Sequence, residues 1–333
     1  MRTLRLGIIG IGFFGEKHAE VVSSLPQVEL AAVSTRRPER LREIAARFKV
    51  PKTYTDYRDL LADPDIDAVS IVTHIDQHTE MAVAALAAGK HVFLEKPMAD
   101  TVEHCRAIIA AADASAGKLM IGHICRFDQR VVTAVQAIRA GKIGRIVSMH
   151  ATRNLPVTIG RQVLDKISPI SGDGIHDTDL MLWMTQSAIT SVYAKTVMVH
   201  HHRHPDLGWC MYEFASGAVG VFESIWMLPA NTPFQIDARM EIIGTEGAIY
   251  INAGNSGIQI NDAESFYQPD TMYWPELYGK RTGALRYELE YFADCIIHDR
   301  PIEVITPKES MAAVQAVSAA EESAKSGRVV TLA

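Results

Sequence analysis

The stretch LRLGIIGIGFFGEKHA, residues 4–19, decides the fold: an apolar run, then glycines at Gly10, Gly12 and Gly15, then a helical pattern from about Glu16. Each glycine has its own physical task. Gly10 permits a tight turn, Gly12 leaves no Cβ to block a pyrophosphate, and Gly15 lets helix and strand approach closely. A helix opening near Glu16 presents free N–H groups and the positive end of its dipole to phosphates. Phe13 and Phe14, within the turn, join the three glycines as expected cofactor contacts. A glycine-rich turn also serves packing alone, so its setting carries the weight. The apolar runs VELAAV, AVSIV, HVFL and LMIGHI follow, separated by helical stretches at 16–25, 39–48, 77–88 and 101–114. That alternation is how a parallel sheet joined by crossover helices reads, and runs with little period-2 alternation are strands covered on both faces.

Past a connecting helix at 129–140 the texture changes to longer alternating strands: RIVSMHATR, SVYAKTVMVH, WCMYEF, GAVGVFESIW, ARMEIIG and GAIYIN. Turn signals separate them, so hairpins in an antiparallel or mixed sheet follow. Helices interrupt this half at 173–184, 283–297 and 308–326, the last opened by Thr306 and Pro307 and closed by Gly327. The fold class is therefore α/β: a doubly wound Rossmann domain at 1–123, then an α+β domain at 124–333 with a mostly antiparallel sheet for substrate and self-association.

The 333 residues suffice for two domains, each with a sizeable core. Lys plus Arg is 33 against Asp plus Glu 39, without a long single-sign block, so no footprint for nucleic acid or an anionic membrane stands out. Cys105, Cys125, Cys210 and Cys295 are scattered without metal-ligand spacing and read as structural. The opening MRTLRLGIIGIGFF resembles a signal peptide, but glycines interrupt it and a charged GEKH follows in place of a cleavage site. The expectation is a soluble, cytoplasmic protein.

About 20 residues beyond the glycine loop, an Asp or Glu holds the ribose 2′-OH of NAD. This chain reads Ser34, Thr35, Arg36 and Arg37, with no acid. A guanidinium makes charge-assisted bonds to a 2′-phosphate. NADP(H) is expected, with NAD(H) held by the hydroxyls of Ser34 and Thr35 as the alternative.

The segments GIGFFGEKHA, HVFLEKPMA, IGHICRFD, GIHDTDLMLW and MEIIGTEGAI resemble, in order and spacing, the Gfo/Idh/MocA oxidoreductases, the family of glucose–fructose oxidoreductase and inositol dehydrogenase. The resemblance spans essentially the whole chain. It implies a nicotinamide cofactor, substrates that are sugars, polyols or their derivatives, a catalytic lysine at Lys96 followed by a commonly cis proline, and an acid/base or substrate-binding histidine at His176. Glu95, Lys96 and Pro97 end an apolar strand, at the sheet edge where open α/β sheets bind ligands. A proline after Lys96 biases it toward extended backbone. A desolvated amine there suits proton exchange with a substrate oxygen; a surface lysine paired with Glu95 is the alternative. His176 opens an apolar helix, with Asp173 and Asp179 three residues to either side, and a neutral imidazole there would accept a hydroxyl proton. A lone helical histidine is more often structural.

The chain also departs from the family. Gly172 stands where many members carry an Asp four residues before the histidine, and Asp173 would be rotated by about 100° in a helix. The family's Thr-Pro-Asn stretch reads Thr73, His74, Ile75, while His78 matches. His123 and Arg126 are candidate substrate contacts by the family match, with Arg126 alternatively pairing with Asp128 or a neighbouring helix. Arg153, Asn154 and Arg161 are candidate specificity residues, and Tyr278 a candidate lid. The cluster His200, His201, His202 and His204 reads as a solvated strand end rather than a metal site, and Trp183 and Trp226 as core or interface aromatics. No metal is called for, because a nicotinamide performs the difficult step. The expected reaction is hydride transfer to or from a sugar-like substrate by a homodimer or homotetramer. Rivals are a lyase or glycosidase acting through transient oxidation, and a dinucleotide-dependent sensor.

Overall fold

β1 (Leu4–Ile9) has five of its six residues buried, the pattern of a strand covered on both faces. In this computed structural model, which describes residues 3–252 and 257–332, β1 lies inside a six-stranded sheet. Its partners are β2 (Val28–Ser34), β3 (Lys52–Tyr54), β4 (Ala68–Ile71), β5 (His91–Glu95) and β6 (Leu119–Gly122), in the order β3-β2-β1-β4-β5-β6. Every pair is parallel. The connecting helices are α1 (Phe13–Val22), α2 (Pro38–Phe48), α3 (Tyr57–Ala62), α4 (His78–Ala87) and α5 (Val102–Asp113). The strand order reverses between β1 and β4, the switch point beside which a doubly wound sheet binds a dinucleotide.

Two differences from the sequence pattern have local causes. α1 starts at Phe13, with Gly12 as its N-cap, rather than near Glu16; the apolar Phe13 and Phe14 extend the preceding strand pattern and hide the boundary. β3 and α3 are three and six residues long, too short for periodicity to register.

A second sheet of seven strands contains β7 (Ile146–Asn154), β8 (Ile189–Val197), β9 (Leu207–Phe214), β10 (Val219–Ile225), β11 (Asp237–Gly244), β12 (Ala248–Asn252) and, from the chain end, a short strand at Val330–Thr331. Only β7 and β10 pair in parallel; the other neighbours are antiparallel. Burial alternates strictly along β9, so one face packs inward. The helices that accompany this sheet are α6 (Gln129–Arg139), α7 (Val157–Val163), α8 (Pro169–Gly172) and α9 (Gly174–Thr185). Two further helices, α10 (Ala284–Ile297) and α11 (Pro307–Ser326), follow. α11 opens with a reciprocal capping box, Glu309 N–H to Thr306 Oγ1 and Thr306 N–H to Glu309 Oε2.

The chain forms two compact units, Met1–Phe127 with Met272–Met311, and Asp128–Thr271 with Ala312–Ala333. A single cut after residue 123 therefore misses the return of 272–311 to the first unit. The reason is packing: α10 lies on α1, β1 and the 124–127 turn. Rings continue the contact as Trp274–Phe14, Phe14–His18, His18–Phe93 and Phe93–Phe292, with centroids 5.1–5.7 Å apart. All four cysteines are buried and none forms a disulfide, and burial pushes the Cys105 thiol up to about 12. Among the described residues, no helix is long and apolar enough to cross a membrane.

Candidate active site

The first unit carries a turn shaped by missing side chains. Gly10 has φ +95°, and a Cβ there would lie 2.6 Å from the Val72 carbonyl oxygen. A Cβ on Gly15 would lie 1.9 Å from the Gly10 carbonyl oxygen. Around Gly12, by contrast, nothing stands within 4 Å. Two glycines thus close the turn and the third leaves open space at the start of a ten-residue helix, whose first N–H groups have no intrahelical acceptor. The cradle fits a pyrophosphate, backbone N–H donors facing the anion. Thr73 flanks it, its methyl 2.8 Å from the position of a Gly10 Cβ.

At the end of β2, Ser34 is buried and its carbonyl accepts the Gly10 N–H at 2.9 Å, while the Thr35 N–H goes to Tyr54 O. Arg36 is exposed. Arg37 turns back, its Nη2 donating to Ile11 O in the glycine loop at 2.9 Å, and Arg40 Nε reaches the same oxygen at 3.4 Å. Phe13 is 71% exposed at the loop, with the Lys17 ammonium 5.7 Å from its ring. Phe14, half-buried, makes ring contacts with His18 and Trp274.

The Glu95-Lys96-Pro97 turn ends β5, and the Lys96–Pro97 peptide is cis. Glu95 is buried: Oε2 accepts the Lys96 N–H at 3.2 Å, and Oε1 lies 3.2 Å from His18 Nε2. His18 Nδ1 faces Ser70 Oγ at 3.0 Å, so the carboxylate fixes the tautomer with Nε2–H donating to Glu95 and Nδ1 accepting from the serine. His78 is buried too, with Nδ1 2.9 Å from Pro97 O and Nε2 3.2 Å from Thr73 O. Burial holds its imidazole below the usual value, which keeps it neutral between the two segments. His74 is exposed at the start of the same connection.

His123 and Arg126 sit on the first unit's own frame. His123 Nε2 lies 2.9 Å from Ser310 Oγ, and the buried Arg126 donates from Nη1 to Val304 O at 2.7 Å and to Glu309 at 3.2 Å. These bonds tie β6's exit to the 304–310 segment, and the Glu309 bond gives Arg126 the pairing with a neighbouring helix named as its alternative; Asp128 caps α6 and pairs with Arg130. Tyr278 is 96% exposed at the tip of a hairpin whose two loop residues, Tyr278 and Gly279, both have positive φ.

In the second unit, α9 carries His176, buried at 6% exposure. Its N–H bonds Asp173 O at 3.0 Å, and Asp173, half-buried, ends α8 and begins α9. The helix lies tight on β10, since a Cβ on Gly174 would meet the Phe222 ring at 2.4 Å. Arg153 grips Asp177 with two bonds of 2.8 Å, both side chains buried. Burial pushes the Asp177 carboxyl above its usual value, against the pull of Arg153. Asn154 uses both ends of its amide, Nδ2 to Glu223 at 2.8 Å and Oδ1 from the Ile225 N–H at 2.9 Å. Arg161 is exposed on α7.

The missing acid at 172 has a steric reason. A Cβ on Gly172 would lie 2.7 Å from Trp226 Cη2. Trp226 is a core residue, packed with Leu155 and Leu164. The histidine-rich stretch is organised around Asp206, whose carboxylate accepts the N–H groups of Val199 and His200 and contacts His200 Nδ1 at 2.7 Å. It is a carboxylate-centred turn rather than a merely solvated end.

Residues 4–123 match the family model described as "Oxidoreductase family, NAD-binding Rossmann fold", and residues 131–250 match the GFO/IDH/MocA C-terminal domain. The chain belongs to the Gfo/Idh/MocA oxidoreductase family. An inositol 2-dehydrogenase of Acidothermus cellulolyticus is 30% identical over 250 residues, 74% of this chain and 72% of its own length. The scyllo-inositol 2-dehydrogenase (NAD(+)) of Bacillus subtilis is 28% identical over 99% of this chain and 96% of its own. Among solved structures, GenD2 from gentamicin A biosynthesis, in complex with NAD, superposes with a TM-score of 0.89 at 26% identity, covering 100% of this chain and 97% of that one. The protein is thus an oxidoreductase with a nicotinamide-dinucleotide Rossmann fold.

His18 and Glu288, both fully buried in the first unit, were not among the expected site residues. A signal for His18 was present: it lies three residues beyond Gly15 and four before Val22, on the inward face of α1.

Proposed function

We propose that this oxidoreductase transfers hydride between a nicotinamide, preferably NADP(H), and a hydroxyl-bearing carbon of a sugar or polyol. The observation that carries the reading is the open cradle at Gly12, closed on both sides by Gly10 and Gly15, beside the switch point of the sheet. The curated relatives are named for inositols, which supports a cyclic polyhydroxyl substrate. Gly172, filled against by Trp226, argues that the substrate is read without an acid at that position.

In this reading the first unit holds the dinucleotide and the second the substrate. The N–H groups at the start of α1 bind the pyrophosphate, and Arg36 with Ser34 and Thr35 takes the adenosine end. The absence of an acid after β2 and the exposed Arg36 support a 2′-phosphate. The nicotinamide, when bound, accepts or returns the hydride. Lys96 exchanges the proton of the substrate oxygen, held in place by the N–H bond to Glu95, and His176 with Asp173 orients the hydroxyl and assists the proton. Trp209, Met211, Val219 and Tyr250 are exposed apolar residues of the second sheet, which supports a homodimer or homotetramer, working in the cytoplasm.

Lys96→Met tests the chemistry. It should bind reduced cofactor with unchanged affinity by fluorescence and lose turnover by about 10²–10⁴-fold on a polyol that the wild type oxidises. Undiminished turnover removes Lys96 from the mechanism. Titration with NADPH and NADH tests the cofactor: equal affinities remove the phosphate argument.

A further inference from the structure

Both ring nitrogens of His78 face main-chain carbonyl oxygens, Nδ1 that of Pro97 at 2.9 Å and Nε2 that of Thr73 at 3.2 Å. A carbonyl oxygen only accepts, and a neutral imidazole carries a single N–H. The neutral ring therefore serves one of the two oxygens and turns a lone pair to the other. An imidazolium would donate to both, but His78 is buried, and burial outweighs the pull of the carbonyls.

The surroundings decide which oxygen is served. The contact with Pro97 is the shorter one and is buried, whereas the contact with Thr73 is only partly buried. A carbonyl near the surface has water to turn to. One in the interior does not, and leaving it without a donor costs the full desolvation of the group. The proton therefore belongs on Nδ1, facing Pro97.

That bond falls one residue beyond Lys96. On the N-terminal side of the lysine the backbone is fixed by β5, where Glu95 pairs with Gly122 in the parallel sheet and Glu95 Oε2 accepts the Lys96 N–H at 3.2 Å. On the C-terminal side Pro97 has no N–H with which to fasten the turn. Its carbonyl is what remains, and His78 holds it from the first residue of α4, a helix packed on α5 and β5. We propose that His78 is a positioning residue for Lys96: its Nδ1–H pins the Pro97 carbonyl, so that the lysine stands on backbone fixed on both sides and presents its amine in one place. This inference rests on the reading of Lys96 as the residue that exchanges the substrate proton.

Two substitutions separate the two nitrogens. Asn is short enough to place an amide N–H where Nδ1 stands, and Gln carries its N–H one bond further, toward Nε2. His78→Asn should keep kcat within about threefold of wild type on a polyol that the wild type oxidises, while His78→Gln should lower it by about tenfold or more, with the affinity for reduced cofactor unchanged in both. Nitrogen NMR of the wild-type ring at neutral pH, assigned by the signal that disappears in the variants, should show the Nδ1–H tautomer. An Nε2–H tautomer or an imidazolium overturns the proposal. Equal kcat values in the Asn and Gln variants, whether high or low, overturn it too, as does a fall in kcat matched by a fall in cofactor affinity, because a ring that serves packing alone would give those results. Should the Asn and Gln variants not fold, His78→Phe keeps the volume of the ring without its N–H; it should show the same fall in kcat with cofactor affinity kept, and wild-type turnover in it overturns the proposal. Failure of the Lys96 reading is separate: Lys96→Met would turn over normally while the Nδ1–H tautomer of His78 stood.

Discussion

At the nucleotide end, Gly10 and Gly15 stand where any side chain would strike backbone oxygen, and Gly12 opens onto space. At α9, the start of the helix is fixed instead by Arg153 and Asp177, two opposite charges buried and joined by a pair of 2.8 Å bonds. One end of the machinery is shaped by atoms left out, the other by charges put in. The first kind tolerates no added volume; the second tolerates no removed partner. That difference orders the expected damage.

The largest stability effect falls on the charged end. Asp177→Leu alone takes both carboxylate bonds from a buried guanidinium and should cost about 3–5 kcal/mol in urea unfolding, whereas Arg153→Met with Asp177→Leu should recover most of the loss. If the single and double variants unfold alike, the pair is not what holds α9. Next comes Gly15→Ala, where overpacking against the Gly10 carbonyl should cost about 1–3 kcal/mol and weaken cofactor binding with it. Gly12→Ala sharpens the contrast within one loop. Its melting temperature should stay close to wild type because nothing lies near the added methyl, while cofactor affinity falls about tenfold, worth about 1.4 kcal/mol. Equal effects at 12 and 15 would mean that the loop packs as one body. The smallest effect is expected at Thr101, whose side chain accepts the His104 N–H at the start of α5: Thr101→Ala should cost about 1 kcal/mol with no change in cofactor affinity.

The same contrast explains what was legible from the sequence. The glycine turn, the parallel strands and the Glu95-Lys96-Pro97 edge are local patterns, and their spacing along the chain is their spacing in space. The alternating strands of the second sheet were legible for the same reason, as period-2 burial in β9 shows. Contacts between distant positions were not. Nothing near Arg126 announces Val304 and Glu309, nothing near Arg153 announces Asp177, and a glycine at 172 does not name the tryptophan at 226 that requires it. A polar side chain carries no mark in the sequence of which distant partner it faces. The return of 272–311 to the first unit was hidden likewise, since α10 looks like any amphipathic helix until its partners are known.

The bond from Arg37 to the Ile11 carbonyl has a practical corollary for redesign. In the proposed reading, the segment that would meet the coenzyme's 2′ position also braces the glycine turn, so an acidic graft after the second strand should loosen the grip on either coenzyme along with any change of preference. Variants meant to switch coenzyme therefore need a replacement brace for Ile11 before the swap.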